Sequence, residues 1–327
     1  MSPKFLGDDE LDEDQPTSRR KASKKPIQSQ AKTLSLHKGN GTVTEIFPNQ
    51  SAVRLDGSSQ SVLCAYRMST LAFGFSQRER SPVCVGDRVR VEAGVIVGRC
   101  ERKNRLVRSA PNVNNPLLHV LAANLDCLVI VSSAKDPEFS GGIVDRFLVA
   151  ALSQKIESIL CVNKMDLIGS KDARPWSHYL AIGVPVIEIS VGNGQGTEKL
   201  LDRVRGKITA FCGHSGVGKT SLLRRLLKDD TYGQTGLISQ ASGKGRHTTT
   251  GASMILGPHD SGFIDTPGIM NFGLIDIAPE DLLLHFPELN IAAAKCKTDC
   301  THANEEHCAI KDLPRYASYL SILGSLK

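Results

Sequence analysis

Short runs that mix apolar and polar positions dominate the chain between Gly39 and about Arg108. They are Thr42-Val43-Thr44-Glu45-Ile46-Phe47 and the stretches 52–55, 61–64, 87–91 and 94–97, separated by Gly, Asn, Asp and Ser. Short β-like runs at this spacing predict a small β-barrel over 39–110, with the oligonucleotide-binding type as the leading form. The pattern then changes. Leu128-Val129-Ile130-Val131 is apolar throughout, a helical period follows near 142–154, and Ile159-Leu160-Cys161-Val162 is apolar again. A further helix precedes the strand over 184–189, and a helix near 197–205 leads to Ile208-Thr209-Ala210-Phe211-Cys212. Apolar strands alternating with helices predict an α/β domain over 117–275, built on a mostly parallel sheet covered on both faces. The last stretch, 278–327, reads as helical.

With 327 residues, 40% hydrophobic and 23% charged, the chain is long enough for two or three ordinary cores. No run approaches the ~18–20 apolar residues of a membrane-spanning helix, and the acidic start has no secretory core segment. The nine cysteines suit a reducing cytoplasm better than a disulfide framework. Six of them, Cys64, Cys84, Cys100, Cys127, Cys161 and Cys212, are scattered singly, mostly in apolar runs. A cytoplasmic protein without a membrane partner is expected. The net charge of +6 is too small to imply a polyanionic partner by itself, but its distribution is uneven. Residues 8–14 carry six acidic side chains, and 15–38 carry seven basic ones and no acidic one. Such a segment buries too little to fold alone, so a disordered tail over 1–38 is expected. It is either merely solvated or an arm for RNA phosphates.

Chemistry enters with Gly213-His214-Ser215-Gly216-Val217-Gly218-Lys219-Thr220, followed by Ser221. This is the phosphate-binding loop G-x-x-x-x-G-K-[ST] in its required context, between an apolar strand and a helix. Its glycines let backbone N–H groups turn inward. Lys219 is placed for the β- and γ-phosphates, and the Thr220 hydroxyl for Mg²⁺. Asn163-Lys164-Met165-Asp166 closes another apolar strand as N-K-x-D. A carboxylate at Asp166 accepts from both guanine N1–H and the exocyclic amine, a pairing adenine cannot offer. Ser190-Val191, after the next strand, fits a backbone contact to the guanine carbonyl. Asp265-Thr266-Pro267-Gly268 fits D-x-x-G, with Asp265 on Mg²⁺ through water and the Gly268 N–H on the γ-phosphate. Between this segment and the phosphate loop lies Gly245-Arg246-His247-Thr248-Thr249-Thr250. Thr249, or alternatively Thr248, would ligate Mg²⁺ only while the γ-phosphate is present. Ile269 stands where many GTPases place a water-orienting Gln, so intrinsic turnover is expected to be slow. His247 is the best substitute in this chain. Cys296-x₃-Cys300-x-His302-x₅-Cys308 supplies three thiolates and an imidazole, the ligand set of a closed, structural Zn²⁺ site. His307 reads as a surface residue.

The order of the motifs is unusual: N-K-x-D and Ser190 precede the phosphate loop, and D-x-x-G comes last. That order, the barrel before it, Gly-Arg-His-Thr-Thr-Thr and the Cys-Cys-His-Cys cluster together resemble the ribosome small subunit-dependent GTPase A (RsgA) family over residues 39–320. Asn104-Arg105-Leu106-Val107-Arg108 and Ala122-Ala123-Asn124-Leu125-Asp126 resemble that family's junction between barrel and GTPase domain. His285-Phe286-Pro287-Glu288 resembles its segment before the zinc ligands. The resemblance implies a circularly permuted P-loop GTPase with an N-terminal barrel and a C-terminal zinc domain. It further implies GTP and GDP as substrate and product, Mg²⁺ and one Zn²⁺ as ions, and stimulation by the small ribosomal subunit late in its maturation. The barrel and zinc domain would then bind ribosomal RNA. A monomer is expected.

Overall fold

The computed structural model describes residues 34–66, 79, 81–108, 118–233, 252–265, 274, 277–303 and 305–326. Five strands, β1 (Gly41–Phe47), β2 (Gln50–Leu55), β3 (Ser61–Tyr66), β4 (Arg88–Glu92) and β5 (Val95–Arg99), close into a barrel in the order β1-β2-β3-β5-β4. Closure comes from β4 returning onto β1, with Gly41 opposite Val89. Alternate residues point inward, so Val43, Val53, Cys64, Val89 and Ile96 make the barrel core, all with no exposed surface. Gly41 has to be small, because a Cβ there would meet Val53 Cγ1 at 2.7 Å. The described chain begins inside the segment expected to be tail: Leu34 bridges to Cys100, and Leu36–Lys38 form a 3₁₀ turn. Residues 1–33 of that tail lie outside the described residues.

A hairpin of β6 (Arg105–Arg108) and β7 (His119–Ala123) joins the barrel to the α/β sheet. Asn104 and Asn124 fasten this junction through their amides. Asn104 Nδ2 donates to the Leu125 carbonyl at 2.8 Å, and Asn124 Nδ2 to the Gly86 carbonyl at 3.0 Å. Beside them Arg102 pairs with the buried carboxylates of Asp87 (2.6 Å) and Glu79 (3.0 Å).

Next come β8 (Cys127–Ser133), α1 (Gly141–Ser153), β9 (Glu157–Asn163), α2 (Ser177–Ala181), β10 (Val186–Glu188) and α3 (Thr197–Arg203). They are followed by β11 (Ile208–Cys212), α4 (Lys219–Leu227), β12 (Ser253–Leu256) and β13 (Gly262–Asp265). The six strands form one sheet in the order β10-β9-β8-β11-β13-β12, parallel except for the antiparallel edge strand β12. Burial on both faces explains the unbroken apolar runs. On β8, Leu128 and Ile130 enter the core shared with α1, while Cys127, Val129 and Val131 enter the core under α3 and α4.

Past the sheet, a 3₁₀ segment (Pro279–His285), α5 (Pro287–Ala293) and α6 (Tyr316–Leu326) complete the described fold. Their apolar residues Leu282, Phe286, Leu289, Tyr319 and Ile322 belong to the same core as Val144 and Phe147 of α1. The C-terminal segment is therefore packed against α1, on that helix's face of the sheet.

Candidate functional site

Because the central strands are parallel, their C-terminal ends share one edge of the sheet. Asn163 ends β9, Gly213 follows β11 and Asp265 ends β13. The crevice outside such an edge, where strand order reverses, is the usual ligand site of an open α/β sheet. Here the reversal lies at β8, flanked by β9 on one side and β11 on the other.

The phosphate-loop residues 213–220 make the expected turn into α4. Gly213 has φ +146°, and a Cβ there would lie 2.0 Å from the Val131 carbonyl; at Gly218, φ +96°, it would lie 2.4 Å from Asn163 Nδ2. Only glycine lets the loop lie this close to its neighbours. Lys219 Nζ caps its own loop, donating to the Gly213 carbonyl at 2.8 Å and the His214 carbonyl at 3.2 Å. Burial pushes this ammonium below the usual lysine value, and the nearby Asp265 carboxylate opposes that shift. Val217 is buried, whereas Ser215, Gly216, Thr220 and Ser221 are exposed.

Asn163, 3% exposed, bridges the base side and the phosphate side. Its Nδ2 donates to the Val217 carbonyl at 2.9 Å, and its Oδ1 accepts from the Val191 N–H at 3.1 Å. One amide thus joins the ends of β9, the phosphate loop and the 190 loop. Lys164 takes a left-handed conformation, φ +63°, and its Nζ donates to the Asp136 carbonyl. Asp166 is exposed and accepts from the Ser190 hydroxyl. The Met165 N–H donates to the Ile189 carbonyl at 3.2 Å, which fixes the turn that presents Asp166.

On the far side, Asp265 Oδ2 accepts from the Tyr232 hydroxyl at 2.8 Å. Thr220 and Asp265 offer hard oxygen donors of the kind Mg²⁺ takes, so their chemistry fits that ion. His247, Thr248, Thr249, Gly268 and Ile269 lie outside the described residues.

Two parts of this region escape a reading by motif. One is the loop after β8, where Ser133 Oγ donates to the Pro137 carbonyl at 2.5 Å and Pro137 Cδ would lie 3.6 Å from a Cβ on Gly216. Its position after the central strand was the available signal. The other is Tyr232, which carries no motif at all.

Cys296, Cys300, His302 and Cys308 come together, with their ligand atoms within 4.8 Å of one another. Cys296 Sγ lies 4.0 Å from Cys308 Sγ, and His302 Nδ1 lies 3.4 Å from Cys300 Sγ and 3.6 Å from Cys308 Sγ. Tetrahedral zinc with Zn–S of ~2.3 Å and Zn–N of ~2.0 Å calls for separations of about 3.5–3.8 Å, so the donor set fits zinc. Burial, with the Cys308 S–H donating toward Cys300 and Cys296, pushes the Cys308 thiol up to about 11. A cation is what lets several thiolates coexist in such a place. His307 is exposed. Seven residues after Cys308, Arg315 is 3% exposed on its side chain; its Nε donates to Asp145 Oδ1 of α1 at 2.6 Å and its guanidinium to Glu288 Oε1 at 2.8 Å. The Tyr179 hydroxyl donates to the same Asp145 oxygen at 2.8 Å.

A family model described as RsgA GTPase matches residues 99–275. "Small ribosomal subunit biogenesis GTPase RsgA 2" of Bacteroides thetaiotaomicron is 37% identical over 264 residues, covering 75% of this chain and 84% of that protein. The protein of Porphyromonas gingivalis named "Small ribosomal subunit biogenesis GTPase RsgA" is 37% identical over 269 residues, covering 75% and 85%. Among solved structures, YjeQ from Thermotoga maritima superposes with a TM-score of 0.65 at 29% identity, covering 88% of this chain and 97% of that one. YloQ, described as a circularly permuted GTPase, gives 0.62 at 25% identity, covering 88% and 94%.

Proposed function

The chain belongs to the RsgA GTPase family, and from that footing we propose that it hydrolyses GTP in the service of small ribosomal subunit biogenesis, engaging that subunit and its RNA in the cytoplasm. The observation that supports the nucleotide side of this reading is the Asn163 bridge, which ties the N-K-x-D segment to the loop over 213–220 and to the 190 loop where the strands end. The relatives' names supply the ribosomal side.

Asp166 would accept from guanine N1–H and its amine, oriented by Ser190, while the Lys164 stem covers the purine; the Ser190 and Val191 N–H groups, expected on the guanine carbonyl, donate instead to the Gln195 carbonyl at 3.0 Å and to Asn163 Oδ1 at 3.1 Å. Residues 213–219 would wrap the phosphates, with Lys219 turning from its loop carbonyls to the β- and γ-oxygens. Thr220 and Thr249 would hold Mg²⁺ directly, Asp265 through water, and the Gly268 N–H would meet the γ-phosphate. Bound Mg²⁺ supplies neutralisation of charge on the β- and γ-oxygens. Phosphoryl transfer to water depends on positioning and electrostatics more than on a strong base, so the missing Gln at Ile269 matters. His247 would orient the attacking water once the subunit holds its loop, lowering the barrier by preorganisation. His247→Ala should keep GTP and subunit binding but lose about a hundredfold in subunit-stimulated turnover. Single-turnover hydrolysis with saturating small subunits checks this. A rate within about threefold of wild type, far less than a ~1.4 kcal/mol decade, assigns the role elsewhere.

The Cys/His cluster would hold one structural zinc, cross-linking residues 296–308. Cys300→Ser should drop zinc from one ion per chain to near none and loosen the C-terminal segment, with isolated GTP binding intact. Elemental analysis of the purified variant decides, and full occupancy would remove Cys300 from the ligand set. For the function as a whole, the test is co-sedimentation with separated small and large subunits, with GTP turnover measured alongside each. Equal binding to both, or no stimulation by the small subunit, would overturn the reading.

A further inference from the structure

After α4 the chain turns back on itself. Lys228 adopts φ +54° and the Asp229 N–H donates to the Arg224 carbonyl at 3.0 Å. Arg224 Nε then donates to the Tyr232 carbonyl at 2.6 Å, tying the returning segment to the helix it just left. Gly233 follows at φ +74°, so close to the start of α4 that a Cβ would lie 2.6 Å from Thr220 Cγ2. Tyr232 is thereby held at two points. Its ring packs against the apolar core beneath α3 and α4, and its hydroxyl donates to Asp265 Oδ2 at 2.8 Å. Burial and the Asp265 charge both push the phenol's pKa upward, so it stays a proton donor at any working pH.

We propose that Tyr232 is a positioning residue for Mg²⁺: its hydroxyl fixes the rotamer of the Asp265 carboxylate so that the other side of that carboxylate faces the metal's water shell. The proposal rests on Asp265 serving Mg²⁺ in the proposed function. Its physical basis is that carboxylates in metal sites are themselves held by hydrogen-bond donors, and that losing such a donor typically lowers metal affinity by about 10–100-fold. The geometry gives Tyr232 a second distinction. It joins the two oxygen donors of the described site: the hydroxyl reaches Asp265, and the next residue abuts Thr220.

The test is a Mg²⁺ titration of the full chain with a fluorescent, non-hydrolysable GTP analogue, in which turnover plays no part. In EDTA, Tyr232→Phe should bind the analogue within about twofold of wild type, because the phosphate loop and base reader are untouched. With Mg²⁺ added, the midpoint of the metal-dependent tightening should move up by about tenfold. Asp265→Asn is measured in parallel. If Asp265→Asn leaves the Mg²⁺ midpoint unchanged, the assignment of Asp265 fails and Tyr232 falls with it. If Asp265→Asn shifts the midpoint but Tyr232→Phe stays within twofold of wild type, the Tyr232 proposal alone is overturned. The double variant should show no more shift than Asp265→Asn. An additive shift would mean that Tyr232 acts through something else, which also overturns it. A uniform loss of binding in EDTA and Mg²⁺ alike would mark Tyr232 as packing only.

Discussion

Replacing Asp166 by Asn should weaken GTP about a hundred- to a thousandfold and open the site to xanthosine triphosphate. The side chain is exposed at the sheet edge, with the Ser190 hydroxyl donating to one of its oxygens. Guanine presents two donors, N1–H and the amine, to a carboxylate. Hydrogen bonds to a charged partner are worth ~1.5–3 kcal/mol each, and an amide in that place turns one acceptor into a donor aimed at the guanine amine. Xanthine carries a carbonyl where guanine has the amine, so the Asn N–H finds an acceptor. Asn can still accept from Ser190, and the Asn163 bridge does not involve this side chain, so the loop should keep its shape. A competition titration with GTP and XTP measures the reversal. An unchanged guanine preference would remove Asp166 from base recognition.

The second large effect concerns stability. Arg315→Met should cost the fold about 3–5 kcal/mol, the usual penalty for leaving a buried charge without its partner. Asp145, 1% exposed on its side chain, would retain only the Tyr179 hydroxyl among the described residues. The guanidinium also lies 4.5 Å from the Phe286 ring centroid, and Met can replace part of that contact but none of the charge. Arg315→Met combined with Asp145→Leu should recover part of the loss, since no buried charge is left on α1, while the Tyr179 hydroxyl and Glu288 lose these partners. Urea denaturation of wild type, the single variant and the double compares them. A single-variant loss under about 1 kcal/mol, the scale of an exposed pair, would show that Asp145 finds another partner.

Much of this was legible in the chain. The parallel sheet could be read from β8, β9 and β11 because burial on both faces leaves only apolar residues, a strong and local signal. The barrel could be read because its strands are short and bounded by turn residues. The phosphate loop and N-K-x-D were legible for another reason: backbone approach and base chemistry restrict which residue can stand at each place. What stayed hidden has no local pattern. Hairpin strand β6 mixes two arginines with two apolar residues, and its partner begins eleven residues after it ends. Edge strand β12 is only four residues long. Arg315 and Asp145 meet across 170 positions, and Tyr232 and Asp265 across 33. Asn163 was legible as the first residue of N-K-x-D. That both ends of its amide would be spent on backbone groups of two other loops follows only from how closely β9, β10 and β11 end together.

The strand order has a bearing on how the molecule is made. Of the six strands of the α/β sheet, synthesis delivers β8, β9 and β10 first, and these build outward from β8 in one direction only. The other edge of β8 pairs with β11, which emerges later with the phosphate loop at its end. Until then the nascent sheet carries an open edge at what will become its centre, the kind of edge finished proteins take care to cover. It also carries the N-K-x-D segment before the phosphate loop exists, so Asn163 waits for the Val217 carbonyl. A ligand stabilises only the state that can bind it. A guanine nucleotide that needs the phosphate loop therefore has its stabilising grip only once β11 and that loop have joined the sheet.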